Sequence, residues 1–251
     1  MEEKLVSASN RVLVIDAGNT QVKCTLFHAN TIVDKWFFDD QPSNRGQEAE
    51  FIVIASVRSN EFTFSLLEKC ASYIPNAELM LLRSERSSCG VQNSYEEPER
   101  LGVDRWLAAI AAFHHYGGPS VVLDAGTAIK AEFINAEGVH LGGYIVPGLE
   151  LMASSLIDKT AKIRYHSGEA SVGDTIPAST ADAVTQGATE MALGFIQRLY
   201  GKHSDATWLV TGGASQALMA ALSVPHVYDE SLVAKGAYLV WQERLEKRGL
   251  K

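Results

Sequence analysis

Cysteine is scarce in this sequence. Cys24, Cys70 and Cys89 are odd in number, form no C-x-x-C pair and have no histidine partners at zinc-ligand spacing, which argues against a disulfide framework and against a structural metal. Three unpaired thiols point instead to a reducing compartment, with the cytoplasm as default. Long apolar runs are also missing. No stretch approaches about 18 uninterrupted apolar residues, and the opening MEEKLVSASN is acidic and polar where a secretory leader begins basic and turns apolar. No membrane association is expected. Positive charge is short too: 22 Lys and Arg against 30 Asp and Glu leave a net charge of −8. The chain therefore lacks the basic footprint of a nucleic-acid binder, and an anionic ligand would have to be held by local donors or by metal ions.

What is present is an ordinary globular composition, 46% hydrophobic and 21% charged over 251 residues. That length suits one large domain or two of about 110 to 140 residues. An apolar run, Val12 to Ile15, breaks at Asp16-Ala17-Gly18-Asn19-Thr20 and resumes as Val22, Cys24 and Leu26, a hairpin with a polar tip. A polar loop over 39–50 precedes a buried strand at Phe51 to Ala55, a helix over 63–73 and a short strand over 79–82. Residues 84–99 read as a long loop, a feature often tied to function. A helix over 104–116 stops at Gly117-Gly118-Pro119.

The pattern then repeats. Val121-Val122-Leu123 runs into Asp124-Ala125-Gly126-Thr127-Ala128, with Ala131, Phe133 and Ile134 as a return strand, at an offset of 108 residues (16 to 124). Two copies of D-A-G at the same punctuation predict two lobes, each opening with a hairpin. The expected division is an N-terminal extension over 1–10, a first lobe over 11–118 and a second over 119–251. Further along come a glycine turn at Leu141-Gly142-Gly143, a strand over 144–146, helices over 149–156 and 181–200, a strand over 208–210, the turn Thr211-Gly212-Gly213, and helices over 215–222 and 230–247. The fold class is α/β.

At a strand–turn–strand tip, Gly18 lets the backbone approach a ligand, successive N–H groups can point at phosphate oxygens, and Asn19 and Thr20 add short donors. Asp16 cannot face phosphate without repulsion, so its use would be to hold a hydrated Mg²⁺, and Lys23 would supply a point positive charge. The plain alternative is a turn rich in Asp, Gly and Asn for conformational reasons.

D-A-G-N-T, D-A-G-T-A and the later T-G-G resemble the two phosphate loops and the adenosine loop of the actin-like, sugar-kinase-like ATPase superfamily. G-V-D-R-W at 102–106, G-G-Y-I-V-P-G-L at 142–149 and P-A-S-T-A-D-A-V at 177–184 further resemble type III pantothenate kinase. The resemblance spans about residues 12 to 235. It implies two ribonuclease-H-like lobes flanking a nucleotide cleft, and transfer of the γ-phosphate of ATP to the primary hydroxyl of pantothenate, giving 4'-phosphopantothenate at the first step of coenzyme A synthesis. It also implies a homodimer. By the same resemblance Asp16, Ala17, Gly18, Asn19, Thr20, Gln21, Val22 and Lys23 form the first phosphate loop, and Thr127 contacts ATP from the second. Tyr95, Gly102, Val103, Asp104, Arg105 and Thr180 bind pantothenate, with Asp104 as proton acceptor. Asp124 matches the position where many members bind a monovalent cation, K⁺ or NH₄⁺, and Mg²⁺ accompanies ATP. Lys130 stands where relatives usually carry a smaller or apolar residue, which bears on that cation.

Plainer roles compete for several of these residues. Asp104 could be the N-cap of the helix that follows it, Ser179 with Asp182 reads as a capping box that would explain Thr180's neighbourhood, and His114-His115 suits a helix C-terminus better than a metal. A superfamily kinase for another small hydroxylated substrate, and a non-catalytic ATP-binding accessory factor for transcription, stay open as alternatives.

Overall fold

The structure, a computed structural model, describes residues 10–38, 45–166, 168–171 and 175–249. The expected extension over 1–10, apart from Asn10, and residues 39–44 of the first expected loop lie outside them. The chain packs as two units. One takes the described residues of 1–118 with 134–142 and 231–251, and the other takes 119–133 with 143–230.

The first unit is built on strands β1 (Arg11–Ala17), β2 (Val22–His28), β3 (Thr31–Phe37), β4 (Phe51–Ser56) and β5 (Glu78–Leu81), in sheet order β3-β2-β1-β4-β5. β1 and β2 are antiparallel with Asp16 opposite Lys23, while β1, β4 and β5 run parallel. Both faces of this sheet are covered, so β1 and β4 read as near-continuous apolar runs. The period of two still sorts their residues: Val12, Val14, Phe51 and Val53 enter one core, and Leu13, Ile15, Ile52 and Ile54 enter the other. Helix α1 (Asn60–Tyr73), N-capped by the Ser59 hydroxyl accepting from the Phe62 amide, closes the second core with Leu66 and Cys70. The first core is closed by α2 (Val103–Tyr116) and by the C-terminal helix, here α6, over Leu232–Lys247. Gly236 of α6 is why these helices meet so closely, since a Cβ there would run into the Leu107 carbonyl of α2.

The expected division at 118/119 assigned this last helix to the second lobe, and in the structure it packs in the first unit. Chain order alone favours the neighbouring lobe. Ala234, Ala237, Tyr238, Trp241 and Leu245 instead find their apolar complement among Val103, Trp106, Leu107 and Ile110, and Phe27 stacks on Tyr238 with ring centroids 4.4 Å apart.

The loop expected over 84–99 carries β6 (Ser87–Ser88), β7 (Val91–Asn93) and a 3₁₀ turn at Pro98–Arg100. The second unit contains β8 (Ser120–Ala125), β9 (Ala128–Ile134), most of β10 (Val139–Pro147), α3 (Leu149–Lys159), α4 (Thr180–Lys202), β11 (Thr207–Thr211), α5 (Ser215–Leu222) and β12 (Val227–Tyr228). Its strand order is β10-β9-β8-β11-β12, with β8, β11 and β12 parallel. Renumbered from its own first strand, that is the order of the first sheet. The D-A-G duplication thus extends to topology. The first residues of β10 belong to the first unit, where Val139 and His140 pair with Gln92 and Asn93 of β7.

Candidate active site

β1 ends at Ala17 and β2 begins at Val22, so Gly18 to Gln21 form the tip of the first hairpin. Asp16 is half-buried, and Asn19, Thr20, Gln21 and Lys23 are exposed. Gly18 has no left-handed backbone, so its value is the absence of a side chain rather than an unusual conformation. The tip is tethered by a residue the sequence did not single out. Arg58, just past β4, donates from Nη1 to the carbonyls of Gly18 at 3.2 Å and Asn19 at 2.7 Å, with its guanidinium 4.2 Å from the centroid of Phe62. Parallel pairing of Asp16 and Ala17 with Ala55 and Ser56 carries the chain to that point. Arg58 thus braces the tip from its carbonyl side.

A second group of candidates gathers around the start of α2. Gly102 is the N-cap and Asp104 lies in the first turn, so the helix begins earlier than an Asp104 cap would place it. The Asp104 carboxylate accepts the Arg105 amide at 2.8 Å and lies back over Gly102, where a Cβ would come within 2.7 Å of Oδ1. Arg105 is 8% exposed, and its Nη1 donates to the Tyr95 hydroxyl at 3.2 Å. Tyr95 in turn lies against the His140 ring at 6.1 Å, and Trp106 meets that ring edge-on at 6.5 Å. Val103 is buried beneath. Tyr95, Gly102, Val103, Asp104 and Arg105 are therefore one cluster.

Two further residues missed in the sequence hold Tyr95 there. Arg86 donates to the carbonyls of Asn93, Tyr95 and Glu96, and Asn93, 2% exposed, accepts the Tyr95 amide and donates to the Glu85 and Pro98 carbonyls. Their signal was only the length of the loop, since neither belongs to a recognisable motif.

In the second unit the candidates are Thr127 on a loop, Asp124 near the end of β8 and Thr180 at the start of α4. Thr127 is exposed at the tip between β8 and β9, and its carbonyl accepts the Gly148 amide at 2.9 Å. A side chain at Gly148 would strike the Gly126 and Thr127 carbonyls, and one at Gly143 would strike Ala131 and Glu132. Gly143 and Gly148 of the G-G-Y-I-V-P-G-L motif are thus explained by close backbone approach, and Gly142 by its φ of +113°. They do not make the turn expected at 141–143, because β10 runs straight through them. Gly212 of T-G-G has φ +91° and lies against the Ala125 carbonyl, and the Ala214 amide donates to that same carbonyl at 3.0 Å.

Asp124, at the end of β8, pairs through Oδ2 with the Lys130 ammonium at 2.7 Å, with side chains 27% and 19% exposed. Oδ1 stands 2.6 Å from where a Cβ on Gly212 would be. Thr180 is exposed at the first residue of α4. Ser179 caps that helix as the capping-box reading expected, accepting the Asp182 amide at 3.1 Å and donating to Oδ2 at 2.7 Å.

Among the described residues no three His, Cys, Asp or Glu side chains converge as a metal site. The thiols offer no nucleophile: burial pushes Cys24 up to about 12, with Cys70 adding to it, and pushes Cys70 and Cys89 up to about 11. No helix among the described residues is long and apolar enough to cross a membrane.

The chain resembles known proteins in fold and in sequence. A solved structure described as a Baf family transcriptional activator, from Campylobacter jejuni, shares 22% identity over 93% of this chain and 99% of its own, with a TM-score of 0.58. An activator of 2-hydroxyisocaproyl-CoA dehydratase from Clostridium difficile, solved with bound ADPNP, shares 10% over 96% and 98%, with a TM-score of 0.51. These likenesses show the fold, an actin-like ATPase architecture in which a ribonuclease-H-like sheet occurs twice. Closer relatives are named type III pantothenate kinase. One from Marinomonas sp. is 46% identical over 96% of this chain and 98% of its own length, and one from Pseudomonas putida KT2440 is 36% identical over 84% and 91%. The sequence profile of that family matches residues 12–202, and on these grounds the chain belongs to the type III pantothenate kinase family.

Proposed function

We propose that this protein is an ATP-dependent pantothenate kinase, moving the γ-phosphate of ATP to the primary hydroxyl of pantothenate and yielding 4'-phosphopantothenate for coenzyme A synthesis. The observation that carries the reading is the Tyr95–Asp104–Arg105 cluster in a chain of this family. Pantothenate is an anion with hydroxyls and an amide. A guanidinium held in place by a tyrosine hydroxyl is a planar fork suited to its carboxylate. One helical turn fixes Asp104 beside that fork, half-exposed, as the acceptor for the hydroxyl proton. In a loose phosphoryl-transfer transition state the proton acceptor matters less than alignment and charge neutralisation. Losing the Asp104 carboxylate should therefore lower kcat more than it weakens binding.

The tip from Asp16 to Lys23 would take ATP phosphates on its amides and on Lys23, with Thr127 contributing from the second hairpin and Thr180 completing the pantothenate pocket. Mg²⁺ fits the donor set, because it keeps several waters and needs only one or two carboxylates beside substrate phosphates. Asp16 would hold it through water, and the bound ion would offset charge on the phosphate oxygens. The monovalent cation expected at Asp124 fits poorly: the carboxylate is already ion-paired with Lys130. A second cation about 4 Å from that ammonium would meet a repulsion of about 4 kcal/mol near a protein surface.

A homodimer belongs to the proposal. α3 has no buried residue, and Tyr144 and Ile145 of β10, Leu151 and Leu156 of α3 and Met191 of α4 are 40% to 66% exposed, an apolar surface suited to a second copy. Light scattering at twice 27.3 kDa checks it. The cytoplasm is the proposed location, in keeping with free thiols. The reaction itself is tested by incubating the protein with ATP, Mg²⁺ and pantothenate. ADP and 4'-phosphopantothenate should form in equal amounts, and ADP release indifferent to pantothenate would refute the reading.

A further inference from the structure

Asp124 is a carboxylate at the end of β8, where three loops of the second unit come together. One of its oxygens lies against the Gly212 turn, and the other is 2.7 Å from Lys130 Nζ on β9. Both side chains are largely shielded, so this pair is far less screened than a surface ion pair. An ammonium group matches K⁺ in charge and nearly in radius, and Lys130 delivers it on a tether from the return strand of the same hairpin. Placed there, it neutralises Asp124 beside the second phosphate loop without drawing an ion from solution.

We infer that Lys130 is a built-in counterpart of the monovalent cation, so that this enzyme turns over without K⁺ or NH₄⁺. The inference rests on the kinase reading for its activity measurement, and on ion-specific stabilisation for a measurement independent of it. Lys130 acts through Asp124 and the loops around it, and is therefore a positioning residue. A merely structural ion pair would also weaken the protein when cut. It would not make the protein responsive to K⁺.

The experiment compares the full-length wild type with Lys130→Ala, which vacates the space, and Lys130→Arg, which keeps the charge. All three are dialysed into tetramethylammonium chloride and titrated with KCl or NH₄Cl at constant ionic strength. Pantothenate-dependent ADP release and the melting temperature are followed together. The wild type should show the same rate and melting temperature in all salts, and Lys130→Arg, whatever its own rate, should gain nothing from KCl or NH₄Cl. Lys130→Ala should fall by about tenfold or more in tetramethylammonium and recover most of that loss in KCl or NH₄Cl, with a melting temperature raised by those ions alone.

Stimulation of the wild type by K⁺ to a similar degree would overturn the inference, as would a Lys130→Ala protein that is folded, slow and indifferent to K⁺. If no salt supports pantothenate phosphorylation by the wild type, the kinase reading fails instead. Melting then decides the role of Lys130: K⁺-specific stabilisation confined to Lys130→Ala supports it, and an equal response in both proteins overturns it.

Discussion

Arg58→Ala should weaken ATP use without touching pantothenate. Arg58 makes two hydrogen bonds to the first hairpin tip, a short one at 2.7 Å to the Asn19 carbonyl and a longer one at 3.2 Å to that of Gly18, and its guanidinium lies 4.2 Å from the Phe62 ring centroid. A hydrogen bond from a charged donor contributes about 1.5–3 kcal/mol, and an exposed cation–π contact about 0.5–1 kcal/mol. Water can replace the bond to Asn19, which is solvent-exposed, so the net loss of order at the tip is about 2 kcal/mol. If the tip is the phosphate cradle, that ordering cost falls on ATP binding, roughly a 30-fold rise in KM for ATP. The KM for pantothenate should stay put, and kcat should change little. Steady-state kinetics with each substrate varied in turn, alongside a melting curve to confirm folding, is the assay. A folded Arg58→Ala enzyme with an unchanged KM for ATP would refute the idea that this arginine shapes the cradle.

Two helical glycines should respond to alanine with opposite signs. At Gly236 the new Cβ would meet the backbone of Leu107, so the α2–α6 contact must open at a cost of about 1–3 kcal/mol, and the melting temperature falls by several degrees. At Gly187 of α4 nothing stands within 4 Å of the new Cβ, and the gain in helix propensity should raise the melting temperature slightly. The Asp182 carboxylate is held below its usual range by the Ser171 amide and by the hydroxyls of Ser179 and Ser171. Its contribution is therefore present above about pH 4 and lost as pH falls through the lowered value. Protection factors at the start of α4, the observed exchange rates referred to the intrinsic rate at each pH, should fall on acidification in the wild type, and Asp182→Asn should abolish that fall.

The buried strands were legible because β1 and β4 are apolar on both faces, and the duplicated D-A-G marked two hairpins whose sheets share one strand order. Other features were not. β3 is an edge strand whose apolar residues show no period of two, with Val33 and Phe37 exposed and Asp34 among the half-buried positions, so no alternation marks it out from a loop. β10 looked broken at Gly142-Gly143, yet Gly143 is where the strand passes close to Ala131 and Glu132, a demand for space that reads in sequence as a turn. The placement of α6 depends on Gly236 meeting Leu107, 129 positions away (107 to 236), which no local pattern records. At the site, Asp104, Arg105 and the two aspartate loops were visible through motif resemblance. Arg58, Arg86 and Asn93 were not, because their work is done on backbone carbonyls and amides, and any sequence supplies those.

In the proposed mechanism Asp104, beside the Arg105 guanidinium, takes the hydroxyl proton as phosphate is transferred. Initial rates of ADP release, with and without pantothenate, in the wild type and in Asp104→Asn, test it most directly. Release should depend on pantothenate in the wild type, and kcat should be lowered by about 10²–10⁴-fold in Asp104→Asn with KM for pantothenate changed far less. Release independent of pantothenate, or an Asp104→Asn enzyme as fast as the wild type, would contradict it.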